Sequence, residues 1–216
     1  MGNHDEESIW SRMGFSRTSA IFSKELHKIY RDNIDLFHPI YKLGDTIFTH
    51  AGISKGWIDS MNKMFEKQHK NFTLSSSNII DYIENEFQLE LQNDEAPNQH
   101  FMYASLNSPI FCIGKSRGGD ADYGGPFWSD FYADYELPDN WHFYQICGHQ
   151  QGETTGFARL REGIACLDSR AIFEYDLDTH TVKLSEINDE QTKAEASDFA
   201  WEDQTIRFGE SSEESK

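Results

Sequence analysis

Thr46-Ile47-Phe48-Thr49-His50-Ala51-Gly52 is the stretch on which the fold turns: a strand-like run that stops at a histidine, followed by a small residue and a glycine. Just upstream, Ile40–Leu43 reads as a partner strand, joined to it at Gly44-Asp45, a hairpin signal in reversed order. The same ending recurs far downstream, where strand signals over 141–147 run into Cys147-Gly148-His149-Gln150. A third string, Gly2-Asn3-His4-Asp5, stands near the other end of the sequence. Each places a potential metal ligand beside or near glycine. Ligands at strand ends, with glycine allowing close backbone approach, are how an α/β scaffold assembles a metal site from distant segments. Neutral imidazole with amide or carboxylate oxygen suits Zn, Mn or Fe. Each string alone also fits a structural histidine; the three in this order are far more specific.

Outward from these strings, the apolar residues of 19–37 (Ile21, Phe22, Leu26, Ile29, Tyr30 and Phe37) recur at helical spacing. Residues 55–70 predict a helix with Trp57, Ile58, Met61, Met64 and Phe65 on one face. Residues 75–91 predict another, opening on a serine run and burying Ile79, Ile80, Ile83, Phe87 and Leu91. Residues 114–126 hold five glycines and read as a loop. Strand signals return at 156–160 and 164–167, and 171–175 with 181–187 resemble a hairpin around Asp176-Leu177-Asp178-Thr179. From 188 to 216 the composition turns acidic and serine-rich, the mark of a flexible, solvated tail.

Nineteen Lys and Arg against 37 Asp and Glu leave a formal charge of −18 over 216 residues. That balance argues against nucleic-acid binding, which rests on clustered cations. It leaves room for a phosphorylated substrate held through metal ions, because a bound cation inverts the local electrostatics. Sixteen Phe, 9 Tyr and 5 Trp supply a packed core. No apolar run reaches the ~20 residues of a membrane span and no signal-peptide pattern follows Met1, so a cytoplasmic protein without a membrane partner is expected. Cys112, Cys147 and Cys166 form no CxxC pair and read as small buried hydrophobes in a reducing compartment.

The set GNHD, HAG and GH, supported by Trp128-Ser129-Asp130 and Cys166-Leu167-Asp168, resembles the calcineurin-like metallophosphoesterases, in particular their phosphoprotein-phosphatase branch. The resemblance runs from residue 2 to about residue 168. It implies an α/β fold, a mixed β-sandwich of two sheets flanked by helices. Residues 1–187 would form the C-terminal portion of such a domain and 188–216 the tail. It also implies a metal-dependent phosphoesterase that hydrolyses phosphate esters with hydroxide as nucleophile and no covalent phosphoenzyme. Asn3, His50 and His149 match the ligands of the family's second metal, and His4 matches the general acid that protonates the leaving oxygen. Gln151 stands where relatives outside this branch carry a further histidine and is not counted as a ligand. The implied cofactors are divalent Mn, Fe or Zn, two in the complete family site. The implied partner is a phosphorylated substrate, a phosphoprotein or a dinucleoside polyphosphate.

Such chemistry needs these residue types. Phosphate-ester hydrolysis has one of the highest uncatalysed barriers. Two cations can activate water and bind the phosphoryl oxygens together, and a near-neutral histidine can supply the departing alkoxide's proton. A forked arginine contact would hold the remaining phosphate charge. Arg117, in the SRGG loop, is the candidate, set against a plain loop arginine, because in the family the tryptophan-serine-aspartate string precedes that residue and here Trp128 follows it.

The family's GDxHG and GDxxDRG motifs, which carry every protein ligand of the first metal, are not in these 216 residues. At most one metal is therefore expected to be well held, and phosphoesterase turnover by this chain alone is expected to be poor. Truncation is the simplest explanation; the rival is a shortened relative that has lost catalysis and acts as a binding or scaffold protein. Two decoys fall away. Gly114-Lys115-Ser116-Arg117-Gly118 fits G-x-S-x-G, but the glycine-rich run after Arg117 is a poor helix start. Asp120-Ala121-Asp122 lacks a calcium loop's closing glutamate, with Phe131 in its place.

Overall fold

The computed structural model describes residues 1–3, 5–10, 23–93, 106, 108–131, 133, 136–149, 159–161, 163–167, 171–187 and 205–207. They form a mixed α/β fold. Strands β1 (Ile40–Leu43), β2 (Thr46–Thr49), β3 (Tyr144–Cys147), β4 (Arg159–Arg161) and β5 (Ile164–Cys166) make one mixed sheet in the order β1-β2-β3-β5-β4. The hairpin read from the sequence is present at the predicted residues, with Ile40 opposite Thr49 and Leu43 opposite Thr46. The three inner strands, β2, β3 and β5, are parallel. Thr46 lies beside Tyr144 and Phe48 beside Ile146, so β2 and β3 start and finish level. That register carries the two chain segments that leave them, His50 and His149, to the same edge.

The strand predicted over 141–147 is confined to Tyr144–Cys147. Inner parallel strands are buried on both faces and read as apolar runs. Gln145 departs from that pattern, a polar residue fully buried within β3. Its amide is satisfied on both sides: Oε1 accepts from Ile53 N at 2.9 Å and Nε2 donates to Ile53 O at 3.0 Å. The side chain thereby fixes the loop that leaves His50.

Helix α1 (Glu6–Ile9) is a single turn, and α2 (Ser23–Asp32) comes next. The helix expected to continue to residue 37 stops at Asp32 and gives way to a 3-10 turn at Ile34–Leu36; the predicted start at 19 lies outside the described residues. Helix α3 (Lys55–Lys67) begins where Ser54 Oγ accepts Trp57 N and buries Trp57, Ile58, Met61 and Phe65. It ends before the predicted residue 70 because the backbone turns back on itself. His69 adopts a φ of 54°, His69 N bonds Glu66 O at 3.0 Å, and Lys70 N bonds Phe65 O at 2.9 Å. This is the paired closure that satisfies the last carbonyls of a helix. Helix α4 (Ile79–Gln92) starts four residues later than the serine run suggests. Asn78 Oδ1 accepts Ser75 N at 2.9 Å and holds 75–78 as a turn, so the first helical residue is Ile79.

One core joins these elements. Trp10, fully buried, meets Phe87 of α4 and Phe111 edge-on at 5.6 and 5.0 Å. Truncating a residue of this size to alanine costs about 3–5 kcal/mol. A smaller cluster holds Phe131, Cys147, Ile164 and Cys166 under the other half of the sheet. Cys147 and Cys166 are buried as expected, and Cys112 is partly buried.

A second sheet comprises β6 (Ala171–Asp176), β7 (Thr181–Ile187) and β8 (Thr205–Arg207), in that order. β6 and β7 are the predicted hairpin. β8 falls within the stretch read as a tail: Thr181 to Lys183 pair with Arg207 to Thr205, while the rest of 188–216 lies outside the described residues. The second sheet meets the first where β2 and β3 begin. Tyr175 Oη lies 2.9 Å from Thr46 Oγ1 and 2.9 Å from His180 Nδ1. His180 Nε2 lies 3.3 Å from Asp45, and its ring stacks on Tyr144 at 3.7 Å. Among the described residues no helix is long and apolar enough to cross a membrane.

Candidate metal centre

The three predicted ligands, Asn3, His50 and His149, come together at the carboxyl ends of β2 and β3. In open α/β sheets, ligands bind in the crevice outside those strand ends. His50 leaves β2 and turns at once: Gly52 N donates to Thr49 Oγ1 at 3.0 Å, and Gly52 has a φ of 93°, a conformation open to glycine and strained for other residues. His149 leaves β3 with a φ of 74°, in the left-handed region that costs an L-residue roughly 1–2 kcal/mol. Strain of this kind persists only where surrounding contacts over-determine it, and it clusters at functional sites. The two loops are tied directly, Gly148 N donating to His50 O at 2.8 Å.

Asn3 is 5% exposed, and its Oδ1 lies 2.8 Å from His50 Nε2. His149 Nδ1 lies 2.9 Å from the same nitrogen. The rings of His50 and His149 meet edge-on, with centroids 4.7 Å apart. Gly2 makes the approach possible: a Cβ there would stand 2.8 Å from Cε1 and Nδ1 of His50. Asp5 anchors the string, its carboxylate accepting Gly2 N at 2.7 Å and the Tyr30 hydroxyl at 2.8 Å. Burial, and then the Asp5 carboxylate, push the Tyr30 phenol up to about 12.

The donor set fits a divalent cation. A neutral imidazole nitrogen carries at most one proton, and the amide oxygen only accepts. One proton on His50 Nε2 cannot be aimed at both Asn3 Oδ1 and His149 Nδ1, and a proton on His149 Nδ1 sets the His50 Nε2 lone pair against the amide oxygen. A divalent cation placed between them would accept all three lone pairs. Ligands at right angles around an ion with bonds of ~2.1 Å lie about 3.0 Å apart. The observed separations of 2.8 and 2.9 Å fall close to that. Among the described residues no group of three or more His, Cys, Asp and Glu side chains is arranged to hold a metal, so any ligand set here depends on the amide of Asn3.

A cavity of ≈ 520 Å³ opens beside the cluster, with Asn3, Asp5, His38, Tyr41 and His50 among its walls. His4 lies outside the described residues, as does Gln151. Arg117 does not line the cavity. It sits in a 3-10 turn, Lys115–Arg117, that ends at Gly118, so no α-helix follows Ser116. Its Nε lies 3.3 Å from Asp130 Oδ2, which brings the SRGG and Trp128-Ser129-Asp130 strings into contact.

Two further side chains bear on the site. Gln145 supports the His50 loop from inside β3, and a polar residue within an otherwise apolar strand is the signal that points to it. Trp128, of the Trp128-Ser129-Asp130 string, has its ring 5.7 Å from that of His149 at 77°. Fold and site together define a mixed α/β chain with an amide and two imidazoles converging at the ends of parallel strands. No family model, curated protein or solved structure matches this chain.

Proposed function

We propose that the chain belongs to the metallophosphoesterase-type β-sandwiches and that Asn3, His50 and His149 hold one divalent cation, Mn, Fe or Zn, for phosphate-ester hydrolysis. The observation that carries this reading is the crowding of Asn3 Oδ1 and His149 Nδ1 within 2.9 Å of one nitrogen of His50. A bound divalent cation supplies Lewis acidity toward phosphoryl oxygens and makes water a stronger acid. The protein's own part is positional. Gly2 lets the Asn3 segment lie against the His50 ring, the Gly148–His50 backbone bond locks the two histidine loops, and Asp5 fixes the entry of the string. His4, next to Asn3, is assigned proton donation to the departing alkoxide. Arg117 is assigned the phosphate charge, which requires its guanidinium to engage substrate as well as Asp130. The substrate class is a phosphoprotein or a dinucleoside polyphosphate.

Titration calorimetry of the purified chain with Mn2+, followed by an aryl phosphate assay, tests the proposal. One saturable site that disappears in His50→Ala, with slow turnover, is the expected result, because the motifs that carry the ligands of the family's first metal are not in the sequence. Absence of any cation binding would leave a non-catalytic binding module as the better description. Fast metal-dependent turnover by the 216 residues would refute the one-metal reading.

A further inference from the structure

Glu6 is a carboxylate at 2% exposure in the first position of α1, a costly place for a charge without a specific partner. One partner is the indole N–H of Trp128, which lies 3.2 Å from Glu6 Oε1 and 3.5 Å from Oε2. An indole N–H does not need a carboxylate to be satisfied. Trp57 in the same core donates to a backbone carbonyl, Pro109 O, at 3.3 Å. What distinguishes Trp128 is that its ring meets that of His149, with centroids 5.7 Å apart at 77°. His149 is also the residue whose backbone is held at a φ of 74°, so its ring direction depends on contacts from outside its own strand. Trp128 is itself placed by a turn: its N–H bonds Gly125 O at 2.9 Å, and Pro126 O accepts Ala51 N at 2.8 Å. That turn touches both histidine loops.

We infer that Glu6 is a positioning residue for the metal centre, acting through the Trp128 indole to orient the His149 imidazole so that Nδ1 faces His50. The inference rests on the proposed cation site and concerns only how this chain presents one of its ligands. The carboxylate accepts the indole N–H across both oxygens, which fixes the ring plane; the ring then restricts rotation of the imidazole it meets.

Variants of Glu6 and Trp128, a Trp57→Phe control and two readouts test it. Glu6→Ala and Trp128→Phe should each weaken Mn2+ binding about 10-fold, the lower end of what removing an outer-shell partner costs a metal site. The double variant should be no weaker than the poorer single, because both changes cut the same connection. Glu6→Gln keeps an acceptor and should stay within about 3-fold of the parent, a rescue that a purely charge-based effect would not show. In the metal-free chain, 15N resonances of the His149 ring should move in Glu6→Ala and Trp128→Phe and stay in place in Trp57→Phe. If the folded variants bind Mn2+ as the parent does and the His149 resonances are unchanged, Glu6 is only a buried structural carboxylate and the inference is overturned. If Glu6→Ala does not fold, Trp128→Phe and Glu6→Gln decide. Failure of the cation site itself is a separate outcome: His50→Ala would then leave Mn2+ binding unaltered, while the metal-free ring resonances would still report on Glu6.

Discussion

β2 and β3 begin and end level, yet their two ends are built on opposite principles. At the beginning, Thr46, Tyr175, His180 and Asp45 form a chain in which donors and acceptors can alternate: threonine hydroxyl to phenol, phenol to His180 Nδ1, His180 Nε2 to carboxylate. At the other end, an amide oxygen and an imidazole nitrogen crowd a second imidazole nitrogen that has one proton to share. The first arrangement is complete as it stands and fastens the two sheets together. The second brings Asn3 Oδ1 and His149 Nδ1 to within 2.9 Å of one nitrogen, the convergence on which the proposed cation site rests. Both clusters contain a histidine with positive φ, His180 at 51° and His149 at 74°, so backbone strain alone does not distinguish a fastening from a binding site. The balance of protons does.

The comparison breaks most directly at the histidines. His50→Ala should reduce Mn2+ affinity by more than about 100-fold, since even outer-shell partners are worth 10–100-fold. Its unfolding midpoint without metal should barely fall. His180→Ala should do the reverse, leaving affinity within about twofold and lowering stability by about 1–2 kcal/mol through the lost Tyr175 and Asp45 contacts. Calorimetry and urea titration of the pair decide the matter; equal loss of affinity in both would mean that the strand starts govern the site.

Gln145 links the ends, because its amide sits mid-strand and grips Ile53, three residues past His50. Gln145→Ala strips both bonds from a fully buried peptide and should cost about 3 kcal/mol, with metal binding weakened as the loop relaxes. Denaturant melts read the first effect and calorimetry the second; a loss under about 1 kcal/mol would mean that ordered water can take the amide's place. Gly2→Ala is the more selective change. It sets a methyl 2.8 Å from the His50 ring while the core stays untouched. Affinity should fall about 10-fold, comparable to loss of an outer-shell partner, with thermal stability close to the parent. Unchanged affinity would show that the ring has room to retreat.

Legibility in the sequence tracks the range of the forces involved. The β1–β2 hairpin was readable to the residue because a short apolar alternation and the Gly44-Asp45 turn are local signals. Helix ends were less so. Ser75 belongs to a turn held by Asn78, and α3 is closed by His69 in a conformation that no periodicity encodes. Asn3, His50 and His149 were legible as strings, and the parallel register of β2 with β3 is what makes them neighbours. Glu6 and Trp128 were not legible as partners. Their hydrogen bond joins residues 122 positions apart, and nothing in the Trp128-Ser129-Asp130 string points to Glu6.

Tyr30 tests whether the site end can be loosened without touching the clasp. Its hydroxyl donates to Asp5, which also accepts Gly2 N, so the phenol stiffens the string that carries Asn3. An unfolded phenol titrates near ~10, and the folded one is pushed up to about 12. Between those values the folded chain keeps a proton that the unfolded chain has lost. The contribution of this bond is therefore fully present below about pH 10 and is lost as pH rises through about 12. Tyr30→Phe should cost about 1 kcal/mol at neutral pH, weaken Mn2+ binding a few-fold, and flatten the decline of stability between pH 10 and 12. Urea midpoints measured across that window, for the parent and the variant, give the answer. Parallel curves would mean that Asp5 holds Gly2 unaided, and that the approach of Asn3 to His50 owes nothing to α2.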